Sequence, residues 1–158
     1  MSVVSNTSPL CYLILIGSID VLPRLYGEIL TTQTVVNELR HPDAPESVRR
    51  WAALPPDWLK VHADPSELDQ SLASLHAGER TALRLAEQLQ ADIVLLDDSA
   101  ARELAVQRKL TVSGLLGVLR DASQSGLVDL PMAVDRLRQT NFRASPELLR
   151  VLLSGLQG

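Results

Sequence analysis

Asn6, Glu38, Glu79 and Asp97 are oxygen donors placed where the sequence pattern passes from one structural element to the next. Asn6 closes a short apolar start, Val3-Val4, and Asp97 closes an apolar run, Ile93-Val94-Leu95-Leu96. As strands of one parallel sheet, both runs would put these residues at the carboxyl edge, where open α/β sheets bind ligands. Glu79 shares a helical stripe with Ala82, Leu83 and Ala86. A carboxylate on a core-facing stripe is costly unless it meets a cation or hydrogen-bond donors. Glu38 neighbours Val35 near the end of another helical segment. If the acids converge, their repulsion raises their proton affinity unless a cation neutralises them. Carboxylate and amide oxygens without a Cys or His pattern suit Mg²⁺ or Mn²⁺ rather than Zn²⁺. Such a cation acts on phosphates, by lowering the pKa of a bound water and offsetting charge on phosphoryl oxygens. The chemistry implied is phosphodiester hydrolysis.

Each group also has a plainer use. Asp97 and Asp98, followed by Ser99, suit the cap of the next helix. Glu79 suits a first helical turn, where it complements the dipole. Glu38 at a helix end suits a solvated position. Arg102 follows Asp98 at i+4, so it can pair with Asp98 or face a phosphate at the acidic edge.

The elements that must position these groups are legible in order. Strands are expected through Val4 or Ser5, over Glu28 to Thr31, over Leu59 to His62 as an edge strand, over Ile93 to Leu96 and over Leu110 to Ser113. A helix over Leu10 to Ile16 takes Ser8 as N-cap and Pro9 as its first residue. A second runs from about Ile19 to Tyr26, broken or kinked at Pro23. Thr31 or Thr32 caps a third, bearing Val35, Val36 and Leu39. Further helices are expected over Glu46 to Ala53, over Ser66 to Leu89 with an interruption at His76-Ala77-Gly78, from Ser99 to about Arg108, and over Leu115 to Ser123. Alternating strands and helices predict a three-layer α/β/α fold with a central parallel sheet. One domain is expected over residues 1–158. Its tail helices, over Pro131 to Leu137 and Pro146 to Leu153, would pack on it.

Composition narrows the class. A chain of 158 residues, 46% hydrophobic, can bury a sizeable core and is not globally disordered. Aromatics at 3% argue against a β-sandwich and against base-stacking RNA readers. A net charge of -4 means that a polyanion must meet a local positive patch. The single cysteine, Cys11, excludes a disulfide framework and a cysteine zinc site, and fits a reducing compartment. Cys11 to Ile16 is too short to span a bilayer and no signal peptide is visible, so a cytoplasmic protein with no membrane partner is expected. His41, His62 and His76 share no ligand spacing. Arg108 and Lys109 read as a solvated helix face. Trp51 and Trp58 flank a proline turn and read as packing.

Several blocks together resemble the PIN-domain proteins. Val3-Val4-Ser5-Asn6-Thr7-Ser8-Pro9-Leu10 is similar to their opening strand and turn. Leu75-His76-Ala77-Gly78-Glu79 resembles the Leu-His-x-Gly-Glu helix start of a prokaryotic VapC-like subgroup. Leu95-Leu96-Asp97-Asp98, Ala101-Arg102 and Val112 to Leu119 resemble its next blocks, and order and spacing carry the likeness from Val3 to about Gly126. The resemblance implies an α/β/α fold and a Mg²⁺- or Mn²⁺-dependent ribonuclease leaving a 5′-phosphate. Many such relatives are dimeric toxins held by a cognate antitoxin. By position, Asn6, Glu38, Glu79 and Asp97 match the four family acids. Asp98 assists the metal, Thr7 and Ser8 match the hydroxyl pair beside the first acid, and Arg102 or a partner chain contacts RNA. Two departures stand out: Asn6 replaces the usual Asp, and Leu115 stands where relatives carry a small hydroxyl residue. Both departures, with the acidic net charge, favour a rival reading, a catalytically weakened PIN-like module that binds RNA or protein. A phosphoacceptor receiver is set aside, because its acid pair closes the first strand and Asp97-Asp98 closes a late one.

Overall fold

The computed structural model describes residues 1–66, 69–142 and 146–154. Five parallel strands form one sheet: β1 (Val3–Ser5), β2 (Ile29–Thr32), β3 (Leu59–His62), β4 (Ile93–Leu95) and β5 (Val112–Ser113). Their order across the sheet is β3-β2-β1-β4-β5, so β1 and β4 are central neighbours. Val3 pairs with Ile93, Val4 with Val94 and Ser5 with Leu95. Around the sheet lie α1 (Thr7–Leu15), α2 (Val21–Tyr26), α3 (Gln33–Leu39), α4 (Glu46–Ala53), α5 (Ala77–Leu89), α6 (Ser99–Gln107), α7 (Leu115–Gln124), α8 (Leu130–Arg138) and α9 (Pro146–Ser154).

The apolar runs explain the layers. Successive strand residues point to opposite faces. Val3 and Leu95 join one core with Leu10, Leu13, Val35, Leu115 and Leu119. Val4, Val94 and Leu96 join the other, with Ala82, Leu83, Ala86, Ala101 and Ala105. A strand covered on both faces reads as a continuous apolar run, as these two do. Leu130, Val134, Leu137 and Leu149 of α8 and α9 belong to the first core. Trp51 and Trp58 pack on that core with their ring centroids 5.9 Å apart. Among the described residues no helix is long and apolar enough to cross a membrane.

The structure corrects several boundaries. α1 starts at Thr7, so Asn6 is the N-cap, and Ser8 and Pro9 lie inside the first turn. Proline is tolerated there because the first N–H groups of a helix have no intrahelical partner. α2 starts at Val21, and Pro23 falls in its first turn for the same reason. Thr32 both ends β2 and caps α3, accepting from the Val35 N–H at 3.2 Å. β5 is only two residues long, because Lys109 turns left-handed (φ 65) and the Leu110 N–H still closes on Ala105 O at 2.9 Å.

The larger correction concerns Ser66 to Leu89. Residues 67 and 68 of that expected helix lie outside the described residues; Gln70–Leu72 is a 3-10 turn, and the α-helix starts only at Ala77. Asp69 accepts from the Ser71 N–H at 3.0 Å and from Ser71 Oγ at 2.5 Å, a local bonding pattern that competes with a helix. Arg108 seals the turn, donating to Asp69 at 2.6 Å, Glu87 at 2.7 Å and Ser71 Oγ at 2.8 Å. Arg108 is therefore an anchor and not part of a solvated face. The Ser71 hydroxyl and Arg108 hold the Asp69 carboxyl down at about 2, below its ordinary 3.8. A lowered folded-state pKa gives stability that is present above the unfolded value and lost as pH falls from about 4 toward 2. Asp69→Asn is expected to flatten this acid limb. Thermal midpoints measured between pH 5 and pH 2.5 should fall less steeply in the variant, and equal slopes would remove Asp69 from the acid response.

Candidate active site

The carboxyl edge of β1 and β4 gathers the polar groups. The Asn6 N–H continues the ladder to Leu95 O at 3.1 Å, so Asn6 sits against the end of β4. Its side chain is 5% exposed and makes no capping bond to α1. An N-cap asparagine ordinarily gives its oxygen to the helix N–H groups. Here Asn6 Oδ1 is buried and has no hydrogen-bond partner. Leaving such an acceptor unmatched costs about 1–3 kcal/mol.

Asp97 follows β4 and is fixed from two sides. Leu115 N–H, at the start of α7, donates to Oδ1 at 2.8 Å, and Ser8 Oγ donates to Oδ2 at 3.2 Å. Burial pushes its carboxyl up, against the pull of Leu115, Ser8 and Arg102. Arg102 makes no ion pair with Asp98. Its Nη1 donates to Leu96 O at 3.0 Å. A Cβ on Gly114 would lie 2.6 Å from Arg102 Nη1, 2.8 Å from Asp97 Oδ1 and 3.2 Å from Leu96 O. Glycine is thus what lets α7 present its first N–H to Asp97. The hydroxyl group missing at position 115 is not what serves the acid. The Leu115 backbone does so, and its side chain is buried in the core.

Glu38 and Glu79 meet at the start of α5. Glu38 Oε1 accepts from Thr7 Oγ1 at 2.6 Å, and Oε2 from the Gly78 N–H at 3.1 Å. Glu38 therefore ties α3 to the first turns of α1 and α5, with both oxygens engaged, and is not a loose solvated acid. Glu79 is 8% exposed, and its Oε1 accepts from the His76 N–H at 3.1 Å. Burial pushes its carboxyl up, opposed by His76 and reinforced by the charges of Asp98 and Glu38. Asp98 Oδ2 caps α6, accepting from the Ala101 N–H at 2.9 Å, as the plainer reading of the sequence has it. Thr7 and Ser8, both half-buried, hold Glu38 and Asp97 respectively.

Tyr12 carries no sequence signal for this site, yet it lies one turn beyond Ser8 on α1. Burial, then the nearby Cys11 and Asp97, push its hydroxyl up. That hydroxyl donates to Asn141 Oδ1 at 2.7 Å, and the ring meets Phe142 edge-on, centroids 5.0 Å apart. Gly78 and Gly114 could have been noticed, since each adjoins a candidate acid or its donor at a helix start.

A family model described as a PIN domain matches residues 2–157. The chain belongs to the PIN-domain family. PIN domains are usually nucleases that use divalent metal ions, and their fold implies binding of nucleic acid. Among solved structures, the chain is similar to a PilT N-terminus domain protein from the hyperthermophilic archaeon Sulfolobus solfataricus P2. The two share 13% identity over 91% of this chain and 100% of that one, with a TM-score of 0.53, a likeness of fold. No curated protein matches the sequence.

The donors of this PIN domain suit a hard divalent cation in kind. Asn6 Oδ1 is an unmatched buried oxygen, and Asp97 and Glu79 are carboxylates whose ionised forms burial disfavours. In number they are sparse. Among the described residues, no three His, Cys, Asp or Glu side chains lie close enough together to hold a metal. An amide in the first family position removes one charge from the set, and Glu38 and Asp97 each have both oxygens engaged by protein donors.

Proposed function

We propose that this PIN domain is a Mg²⁺- or Mn²⁺-dependent endoribonuclease that hydrolyses RNA phosphodiester bonds. The observation that carries the reading is the unmatched Asn6 Oδ1, buried at the strand edge where the Asn6 backbone meets the end of β4, the strand that leads to Asp97. Asn6 and Asp97 would hold the cation, with Glu79 and Asp98 completing its surroundings. When bound, the cation supplies positive charge to the phosphoryl oxygens and acidifies a water. Ser8 and Leu115 N–H keep the Asp97 carboxylate fixed in one orientation. Glu79 Oε2, opposite the oxygen that holds the His76 N–H, takes the proton released by the attacking water. Arg102 faces the phosphate, and Glu38 positions α1 and α5 without touching the substrate. The likeness of the motif blocks to VapC-like proteins supports a narrower reading: a cytoplasmic homodimeric toxin restrained by a cognate antitoxin.

A second reading, a catalytically weakened module that binds RNA or protein, is favoured by the neutral Asn6 and the sparse acid cluster. Cleavage of a mixed-sequence labelled RNA separates the two. Metal-dependent cleavage with Mn²⁺ or Mg²⁺, abolished by EDTA and leaving 5′-phosphates, is the expected result. Asn6→Asp is expected to tighten Mn²⁺ binding in calorimetry by at least about tenfold, since it adds a charge within a few ångströms of the ion. An inactive parent whose Asn6→Asp variant cleaves RNA would establish the weakened module. Unchanged Mn²⁺ affinity would take Asn6 out of the metal site.

A further inference from the structure

A cavity of about 830 Å³ opens from Asp97 and Arg102 between α6, β5, α7 and α9. Its volume is within the range of small-ligand sites. Arg120 stands on its wall, with Gln124 one turn further along α7. Phe142, the only phenylalanine of the chain, lines it together with Leu116 and Leu152. Two guanidinium groups thus share one cavity in a chain of net charge -4. The Arg120 side chain is 55% exposed and its ion pair is with the adjacent Asp121, at 3.5 Å. Such an exposed pair is weak and leaves the guanidinium open to a better anion. The Phe142 ring packs against Tyr12, its centroid 5.0 Å from that of the tyrosine.

We propose that this cavity is the nucleotide subsite beside the scissile phosphate, with Arg102 and Arg120 on the RNA backbone and Phe142 against the base. The proposal rests on the nuclease reading. Guanidinium groups match phosphate oxygens in geometry and charge, and an aromatic face stacks any base. A purely apolar occupant would leave Arg120 with only its exposed pair to Asp121. Gln124 and Ser99, both exposed, add polar groups to the cavity lining.

The test is binding of a 5′-fluorescein single-stranded RNA decamer of mixed sequence, followed by anisotropy in EDTA so that no strand is cut. Arg120→Glu is expected to weaken binding by about tenfold or more and to lower the salt slope by about one, while Arg120→Lys stays close to the parent. Phe142→Leu is expected to weaken binding about fivefold, and to leave unchanged the binding of a decamer with abasic residues. Circular dichroism checks that each variant is folded. A parent that binds RNA with an affinity unchanged by Arg120→Glu and Phe142→Leu would overturn the subsite and leave the nuclease reading standing. A Phe142→Leu loss that persists on the abasic strand would also overturn it. A parent that neither binds nor cleaves RNA would overturn both readings.

Discussion

Asp97→Asn is expected to lower metal-dependent RNA cleavage by at least about 10³-fold, with the fold intact. The substitution keeps the shape of the side chain. An amide oxygen still accepts from the Leu115 N–H, and the amide N–H₂ can donate to Ser8 Oγ. What disappears is the charge. Because burial disfavours the ionised Asp97, the neutral amide relieves a desolvation cost at neutral pH. The thermal midpoint of the variant should therefore match or exceed that of the parent. Cleavage rates on labelled RNA and thermal unfolding of the same preparation measure the two halves. Undiminished cleavage would remove Asp97 from the chemistry, and a collapsed midpoint would make its role structural.

Gly78→Ala is expected to damage stability and activity together. A Cβ at this position would collide with Glu38 Oε1 and lie 2.7 Å from Oε2 and 2.9 Å from Cδ. Glu38 cannot simply swing aside, because Thr7 Oγ1 and the Gly78 N–H both hold it. The overpacking should cost about 1–3 kcal/mol, a fall in midpoint of roughly 3–10 °C for a chain of this size. In an unobstructed helix the same change would stabilise by about 1 kcal/mol, so the sign itself is diagnostic. Glu38→Ala in the Gly78→Ala background should recover much of the loss, a coupling that a double-mutant cycle reads directly. A raised midpoint in Gly78→Ala alone would refute the close approach.

The sheet and its polar edge were legible because they follow from short-range pattern. Two apolar runs ending in Asn6 and Asp97 required only the rule that buried parallel strands are continuous and share a carboxyl edge. Glu79 betrayed itself as a carboxylate on an apolar stripe. Glu38 was a weaker candidate of the same kind, and its tie was hidden because it joins residues 31 and 40 positions away in the chain. The failed first half of the helix expected over Ser66 to Leu89, before α5 begins at Ala77, has the same origin. Helical periodicity there is overruled by Asp69 bonding locally and by Arg108, which arrives from 39 residues further on. Arg120 and Phe142 were invisible as a pair, since only the tertiary fold brings α7 and the segment after α8 to one cavity.

β1 lies mid-sheet against a strand made much later: Ser2 and Asp92, joined at 2.7 Å, are 90 residues apart. At roughly 5–20 residues per second, the nascent chain waits on the order of 5–20 s between making Asn6 and making Asp97. Leu115, which fixes Asp97, comes later still. Through that interval the two halves of the edge cannot meet. On the ribonuclease reading, the edge has no fixed Asp97 to act with until the start of α7 has also been made.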